Sequence, residues 1–476
     1  MHIEPSFTKR YHKALSDKVM IKAVKLGTGR LRGKRADAIQ AVGEKRWQEF
    51  RNRAEAIRLH VVQHLDQYLE QLVDNVLKKG GHVCLARTGD EAVEYIKNLA
   101  QKKNAKNIVK SKSMVTEEIH LNPALEKMGC KVIESDLGEW IIQLANETPS
   151  HIIVPAMHKN RFQVADLFNE VRGDEPKIPA ETAELCAFAR KYLRKTFMNI
   201  DLGITGCNFA VADSGAITIC TNEGNARIVS ALSSTLVTVM GMERILPSVE
   251  ELAVMLSLLA RSATGQKITV YNTLSAGIRA EMELDGPQEF HLVIVDNGRS
   301  KLLGSKYEKV LNCIRCGSCL NACPVYRNIG GHAYGWVYPG PIGAVLSPLL
   351  QGLDKYGELA YATTLCGACH TACPVKIPLH DMLYALRNDK VELEKKGELM
   401  EDLTYKGWSA AFASMSRYRF SIRMARRFQF PLVKAGKIAF GPPPISDWLK
   451  YRDMPALADE FFHEIWPELS KEGKEK

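Results

Sequence analysis

Between Cys313 and Pro374 the chain carries seven cysteines in two runs, and their spacing constrains the fold more than any other feature. The first run is Cys313, Cys316, Cys319 and Cys323-Pro324, a C-x2-C-x2-C-x3-C-P pattern. The second is Cys366, Cys369 and Cys373-Pro374, the same pattern without its first cysteine. Three thiolates two residues apart wrap a turn of chain around a cuboidal iron–sulfur cluster. The fourth precedes a proline that cannot continue the turn's hydrogen bonding, and it reaches a second cluster instead. The spacing therefore predicts two cross-wired clusters, one on Cys313, Cys316, Cys319 and Cys373, the other on Cys323, Cys366 and Cys369. Structural zinc also takes C-x2-C pairs, but seven cysteines with each half closing on Cys-Pro speak against it. Where a complete second run would place its first cysteine stands Thr363. The second cluster is then either 4Fe–4S, with one iron on a hydroxyl, a histidine or water, or 3Fe–4S. An iron without a thiolate could act as a Lewis acid.

Forty-two residues separate Cys323 from Cys366, including the Gly/Pro-rich stretch Gly330 to Gly343 and an apolar helix near Ala344–Leu350. So long an insertion favours an α-helical ferredoxin module over the small βαβ type. Arg315 and His370 fall inside the cysteine loops. There they either raise a cluster's potential or lie on the surface.

Upstream, from Gly81 to about Asp296, short apolar strands alternate with amphipathic helices. Strands are expected at His82–Ala86, Asn107–Lys110, Lys131–Glu134 and His151–Val154, then a hairpin of Asn208–Ala212 with Ala216–Thr221. Leu236–Met240, Lys267–Tyr271 and Phe290–Val295 complete the set. Apolar strands separated by helices predict an α/β domain with a mostly parallel sheet covered on both faces. Function in such sheets gathers in the loops after the strands' carboxyl ends. Lys110, Ser111, Lys112 and Ser113 follow one strand and open a helix, and Asn222, Glu223, Asn225 and Arg227 follow the hairpin. These residues either line a pocket for a small anion or are ordinary polar turns.

The formal net charge is +10, and residues 1–60 hold 15 Lys and Arg against 6 Asp and Glu, so one segment carries most of the surplus. It reads as a basic helical arm broken at Gly27-Thr28-Gly29, either solvated or docking a partner subunit. No DNA- or RNA-binding signature accompanies it, so nucleic acid is not an expected partner. Gly27 to Gly33 mimics a phosphate loop but lacks the preceding strand and the G-x-G-x-x-G spacing. No Rossmann or Walker pattern offers a place for a flavin or nicotinamide. No apolar stretch approaches the roughly 18 residues of a membrane span, and the N-terminus has no signal-type apolar core. A cytoplasmic protein is expected, and the five remaining cysteines, which lack disulfide-like spacing, agree.

Beyond Pro378 a helix over Leu379–Lys396 is expected, then a helical C-terminal region. There Arg417, Arg419, Arg423, Arg426 and Arg427 interleave with Tyr418, Phe420 and Phe428. Such a helix either packs its aromatics on the ferredoxin module or lies peripherally on an anionic membrane. The tail beyond Glu472 is expected to fray. The boundaries are thus a basic arm (1–60), an α/β domain (61–298), a dicluster module (299–390) and a basic helical region (391–476).

The chain resembles the lactate utilization protein B family. The likeness rests on Val109 to Ile119, Ile204 to Ala210, Thr221 to Arg227, Met240 to Arg244, and the cysteine runs with Gly340-Pro341-Ile342-Gly343-Ala344 between them. It implies an α/β domain similar to CoA transferases and sugar-phosphate isomerases, and an electron-transfer role in converting L-lactate to pyruvate. It also implies two companion proteins, one cysteine-rich and one small with the same α/β domain. By analogy with the CoA-transferase glutamate, Glu223 is the candidate catalytic residue. A subunit oxidising another hydroxy acid such as glycolate, and a ligand or redox sensor, are the alternatives.

Overall fold

The strands of the α/β domain are β1 (His82–Ala86), β2 (Asn107–Lys110), β3 (Lys131–Glu134), β4 (Leu202–Gly206), β5 (Phe209–Val211), β6 (Ala216–Thr221), β7 (Thr235–Gly241), β8 (Ile245–Leu246), β9 (Tyr271–Ser275) and β10 (Glu289–Val295). Six form an all-parallel sheet in the order β1-β10-β7-β4-β2-β3. Strand alternation splits the apolar side chains between two cores. Leu236, Met240, Phe290, Leu292 and Ile294 face one, and Val237, Val239, Val293 and Val295 face the other. Burying each such side chain is worth roughly 1.5–3 kcal/mol, so a one-residue slip of β7 against β10 would forfeit both cores at once. The computed structural model describes residues 6–394, 399–441, 445–450 and 452–472.

The hairpin leaves this sheet. It builds a second one in the order β8-β5-β6-β9, antiparallel except between β5 and β8. Its last strand is Tyr271–Ser275 rather than Lys267–Tyr271. Arg261 donates to the Lys267 carbonyl at 3.1 Å, and Thr269 and Asn272 hydrogen-bond each other at 2.7 Å, holding the preceding residues in a turn. His151–Val154 is not a strand either. The His151 ring nitrogen Nδ1 accepts from the Ile153 and Val154 amides at 3.0 and 3.2 Å, so the backbone curls around its own side chain. Lys301–Leu311 is two 3-10 turns, Ser300–Leu302 and Glu308–Asn312, divided at Gly304 with φ +68°.

The basic arm forms α1 (Phe7–Ser16), α2 (Lys18–Val42) and α3 (Glu44–Gln63), followed by α4 (Leu65–Lys78). Helix α2 runs unbroken through Gly27-Thr28-Gly29. The interruptions fall at Asp17, which caps α2 through the Met20 amide, and at Gly43 with φ +87°. Gly27 instead gives Met157 room, since a Cβ there would lie 3.0 Å from its Cγ. Nor does the arm stand free of the chain: one face packs, with Val24, Trp47, Ala54 and Ile57 joining one continuous core that reaches into the cysteine module, while its other face stays exposed.

The chain divides into two units, 1–390 and 391–476. Leu379–Glu394 is helical; Lys396 lies outside the described residues. In the second unit the helices Leu399–Phe412, Met415–Phe428 and Phe462–Glu472 accompany a small three-stranded sheet. The basic helix Met415–Phe428 buries none of its side chains. The tail after Glu472 lies outside the described residues. No helix among the described residues is long and apolar enough to cross a membrane.

Candidate iron–sulfur centre and adjoining cavity

The two cysteine runs fold as near copies. Cys316 and Cys366 each precede a left-handed glycine, Gly317 at φ +71° and Gly367 at φ +73°. A five-residue helix follows each, Ser318–Ala322 and Ala368–Ala372, and each ends on an extended cysteine, Cys323 and Cys373, with ψ of 121°. Just before Cys316 and Cys366 a bulky residue takes the same left-handed region, Arg315 at φ +58° and Leu365 at φ +53°. Holding a side chain there costs of order 1 kcal/mol, a strain typical of ligand-gripping loops.

The two short helices pack together, which brings Cys373 to the first loop and Cys323 beside Cys366 and Cys369. Cys313, Cys316, Cys319 and Cys373 line one cavity walled by Ile152, Ile314, Ile342 and Val375. Burial and the neighbouring Cys373 push the Cys316 thiol up to about 12, and burial leads in raising Cys373 to about 11. Cys319 is raised well above its usual range by burial and by Cys313, Cys316 and Cys373. Buried thiols that oppose one another's ionisation suit a multiply charged metal core, whose own charge inverts that balance. In the other set, burial and then Cys323 raise Cys369 to about 12, while Cys366, exposed, is lowered by the Thr364 hydroxyl and the Ala368 amide.

Backbone amides address the sulfurs. Arg315 N donates to Cys313 Sγ at 3.4 Å, Tyr326 N to Cys323 Sγ at 3.5 Å, and Ile377 N to Cys373 Sγ at 3.4 Å. The copy of the first contact is Leu365 N to Thr363 Oγ1 at 3.0 Å. The threonine oxygen thus takes the place in the second loop that a thiol takes in the first.

Arginines of the arm and the α/β domain close around the first set, a role that sequence reasoning did not assign them. Arg51 donates to the Cys373 carbonyl at 2.8 and 3.0 Å, Arg35 to the Ala372 carbonyl at 3.1 Å, and Arg244 to the Cys313 carbonyl at 2.7 Å. Arg58, fully buried, donates to the Ile245 carbonyl at 2.8 Å and the Leu311 carbonyl at 3.0 Å. Arg315 is no surface residue: it stacks 4.2 Å over Tyr338 and pairs with Glu243 Oε1 at 3.3 Å. Glu243 Oε2 also lies 2.8 Å from Arg299 Nε. Burial alone would raise the Glu243 carboxyl, but Arg299, Arg315 and Arg244 hold it at about 2. Charges this deep persist only when paired, and each arginine here has a carboxylate or carbonyl to meet. His370, by contrast, faces its own loop, its Nδ1 lying 3.1 Å from the Ile377 carbonyl.

A second cavity, of about 260 Å3, adjoins this loop. Ser111, Lys112, Ser113, Asn222, Glu223 and Asn225 line it, together with Cys207, Cys220, Arg244 and Arg315. Lys110 and Arg227 do not. Lys110 is buried beneath, paired with Glu134 at 2.7 Å and Glu117 at 3.0 Å, and Arg227 is exposed on the helix Asn225–Leu232. Burial and the charge of Asp136 raise the Glu223 carboxyl, which accepts from the Leu137 amide at 3.2 Å.

Proteins named lactate utilization protein B match nearly end to end. The one from Oceanobacillus iheyensis is 49% identical over 99% of this chain and 98% of its own length. Those from Bacillus cytotoxicus and Bacillus subtilis are 50% and 49% identical with the same coverage. The chain belongs to the lactate utilization protein B family. Family models divide it accordingly: a LUD domain over residues 69–295, a 4Fe-4S dicluster domain over 309–377, and the lactate utilisation protein B C-terminal region over 387–471. Family membership makes the cysteine module an iron–sulfur module, and the cavity falls mostly within the LUD domain. A solved DUF162 family protein from Deinococcus radiodurans aligns with 48% of this chain and 98% of its own at 15% identity, with a TM-score of 0.28.

Proposed function

We propose that this chain is the iron–sulfur electron-transfer subunit of a system that oxidises L-lactate to pyruvate. The observation that carries this reading is the pair of similar cysteine loops, with Cys373 lining the cavity of Cys313, Cys316 and Cys319 and Cys323 lying beside Cys366 and Cys369. End-to-end likeness to proteins named for lactate utilization supports the substrate. Two clusters, on Cys313, Cys316, Cys319 and Cys373 and on Cys323, Cys366 and Cys369, would each pass electrons singly, while lactate oxidation releases two.

The chain makes the two environments unequal. Arg35, Arg51, Arg244 and Arg315 surround the first set with positive charge and donors, which raises a cluster's potential. The second set opens to solvent at Cys366, and Thr363, standing where a complete run has its first cysteine, would supply an oxygen as the fourth donor. Two companion proteins, one cysteine-rich and one small with a LUD domain, complete the system in the cytoplasm. The basic helix Met415–Phe428 is suited to peripheral contact with the inner face of the membrane. Anaerobic reconstitution with both companions, followed by EPR, tests the reading. Reduced-cluster signals are expected on adding L-lactate only when the companions are present. Their absence in every combination ends it.

A further inference from the structure

We infer that the cavity at the carboxyl ends of β2 and β4 is a binding site for a small 2-hydroxy- or 2-oxo-carboxylate, with Lys112 as its anion-binding cation. The inference deepens the reading of the chain as a lactate-oxidation subunit by giving this chain its own substrate site.

The sheet order places the site. From β2 the chain moves outward to β3, then crosses back to β4 on the other side of β2 and continues away through β7 and β10. The strand order reverses between β2 and β4, and the crevice outside the carboxyl ends at such a point is where open parallel sheets bind ligands. Ser111 to Ser113 follow β2 and Gly206 to Asn208 enclose the end of β4, and both stretches line the cavity. Gly206 keeps the two loops close, since a Cβ there would lie 2.9 Å from Ser113 Cβ.

The charge in the cavity selects an anion. The carboxylates along it are engaged in whole or in part: Glu243 with Arg299 and Arg315, Asp136 as cap to the Glu139 amide at 3.0 Å, and Glu223 through its Oε2 alone with the Leu137 amide. Two cations keep donors in hand. The Lys112 ammonium makes one hydrogen bond, to the Ile153 carbonyl at 2.8 Å, and Arg315 Nη1 is buried without a hydrogen-bond partner. A volume of about 260 Å3 suits a three- or four-carbon acid and lies below the usual range for larger cofactors. Glu223, at the same cavity, is the acceptor available to a 2-hydroxyl group, which would distinguish a hydroxy acid from a plain carboxylate.

Position gives the site its use. Arg315 belongs to the cavity wall and to the loop between Cys313 and Cys316, and its own amide donates to Cys313 Sγ. A bound carboxylate would thus meet the side chain of a residue whose backbone grips the first thiol set.

Calorimetry on the anaerobically purified holo-protein, without companions, tests this. Titrants are L-lactate and pyruvate, with acetate and inorganic phosphate as comparisons. Saturable binding of lactate or pyruvate is expected, weakened about tenfold or more in Lys112→Ala and largely retained in Lys112→Arg. Glu223→Gln should narrow the preference for lactate over acetate. In wild-type protein, lactate should shift the EPR spectrum of the reduced first cluster, where acetate does not. Absence of saturable binding by the wild type overturns the inference even if the clusters accept electrons in the companion assay. So does lactate binding that survives Lys112→Ala undiminished. If Lys112→Ala loses its clusters, an unchanged lactate-to-acetate ratio in Glu223→Gln overturns it, and a narrowed ratio supports it.

Discussion

At the scale of single residues, the difference in donor sets between the two cysteine loops comes down to one residue. Cys313 and Thr363 stand at equivalent places, each accepting the amide hydrogen two residues on, from Arg315 and Leu365. Thr363→Cys gives the second loop the full thiol set. The expected result is a fully thiolate-ligated 4Fe–4S cluster in the second site, visible as a changed EPR signal. Its added negative charge should lower the reduction potential. Lactate-dependent reduction in the reconstituted system is expected to fall about tenfold, within the usual range for altered metal environments. Unaltered lactate oxidation would argue that the open position has no role. The cysteine spacing made Thr363 legible without any structure. It did not disclose the arginines, because Arg35, Arg51 and Arg244 lie tens to hundreds of residues away and meet backbone carbonyls rather than any patterned partner.

At the scale of elements, helix α2 tests how local signals yield to packing. Gly27-Thr28-Gly29 reads as a break, yet the helix continues because Val24 and Thr28 are buried on one face and Met157 needs the space beside Gly27. Gly29 is exposed, with nothing within 4 Å of a Cβ placed on it. Gly29→Ala is therefore expected to stabilise the protein by about 0.5–1 kcal/mol, seen as a raised denaturation midpoint. A loop needing positive φ at that position would give the opposite sign. The His151–Val154 segment errs the other way: four residues with strand-like composition spend their amides on a histidine nitrogen. Helices Arg161–Arg172 and Thr182–Phe197, which periodicity did not single out, hold together through Trp140, Phe168, Phe188 and Tyr192.

At the scale of the whole molecule, the α/β domain and the cysteine module meet through buried polar contacts that acid should disturb. His151 is fully buried, its Nε2 lying 3.1 Å from Asn321 Oδ1 in the first cysteine run. Burial, helped by the charge of Lys112, holds its imidazole down to about 3 against an ordinary 6.5. A group whose folded value lies below its unfolded one contributes stability that is present above the unfolded value and is lost as pH falls toward the folded one. Stability of the holo-protein is thus expected to decline between about pH 7.5 and pH 5.5, before most carboxylates titrate. His151→Gln should be less stable at the upper pH but show a shallower decline, measured by denaturant unfolding at both. A decline as steep in the variant as in the wild type would assign the loss elsewhere.

Two kinds of information are separable in this chain. Cluster chemistry, the parallel α/β character and the absence of a recognisable dinucleotide motif were readable from residue types and spacing, since thiol ligation and strand alternation are local properties repeated along the chain. The departure of the hairpin into its own sheet, the packing of one face of the basic arm and the joining of Arg315 to both cavity and cysteine loop were decided only by tertiary structure. Each of these depends on which distant surfaces exclude water together. For buried arginines in particular, the compensating partners are carbonyl oxygens that every residue carries and no motif marks.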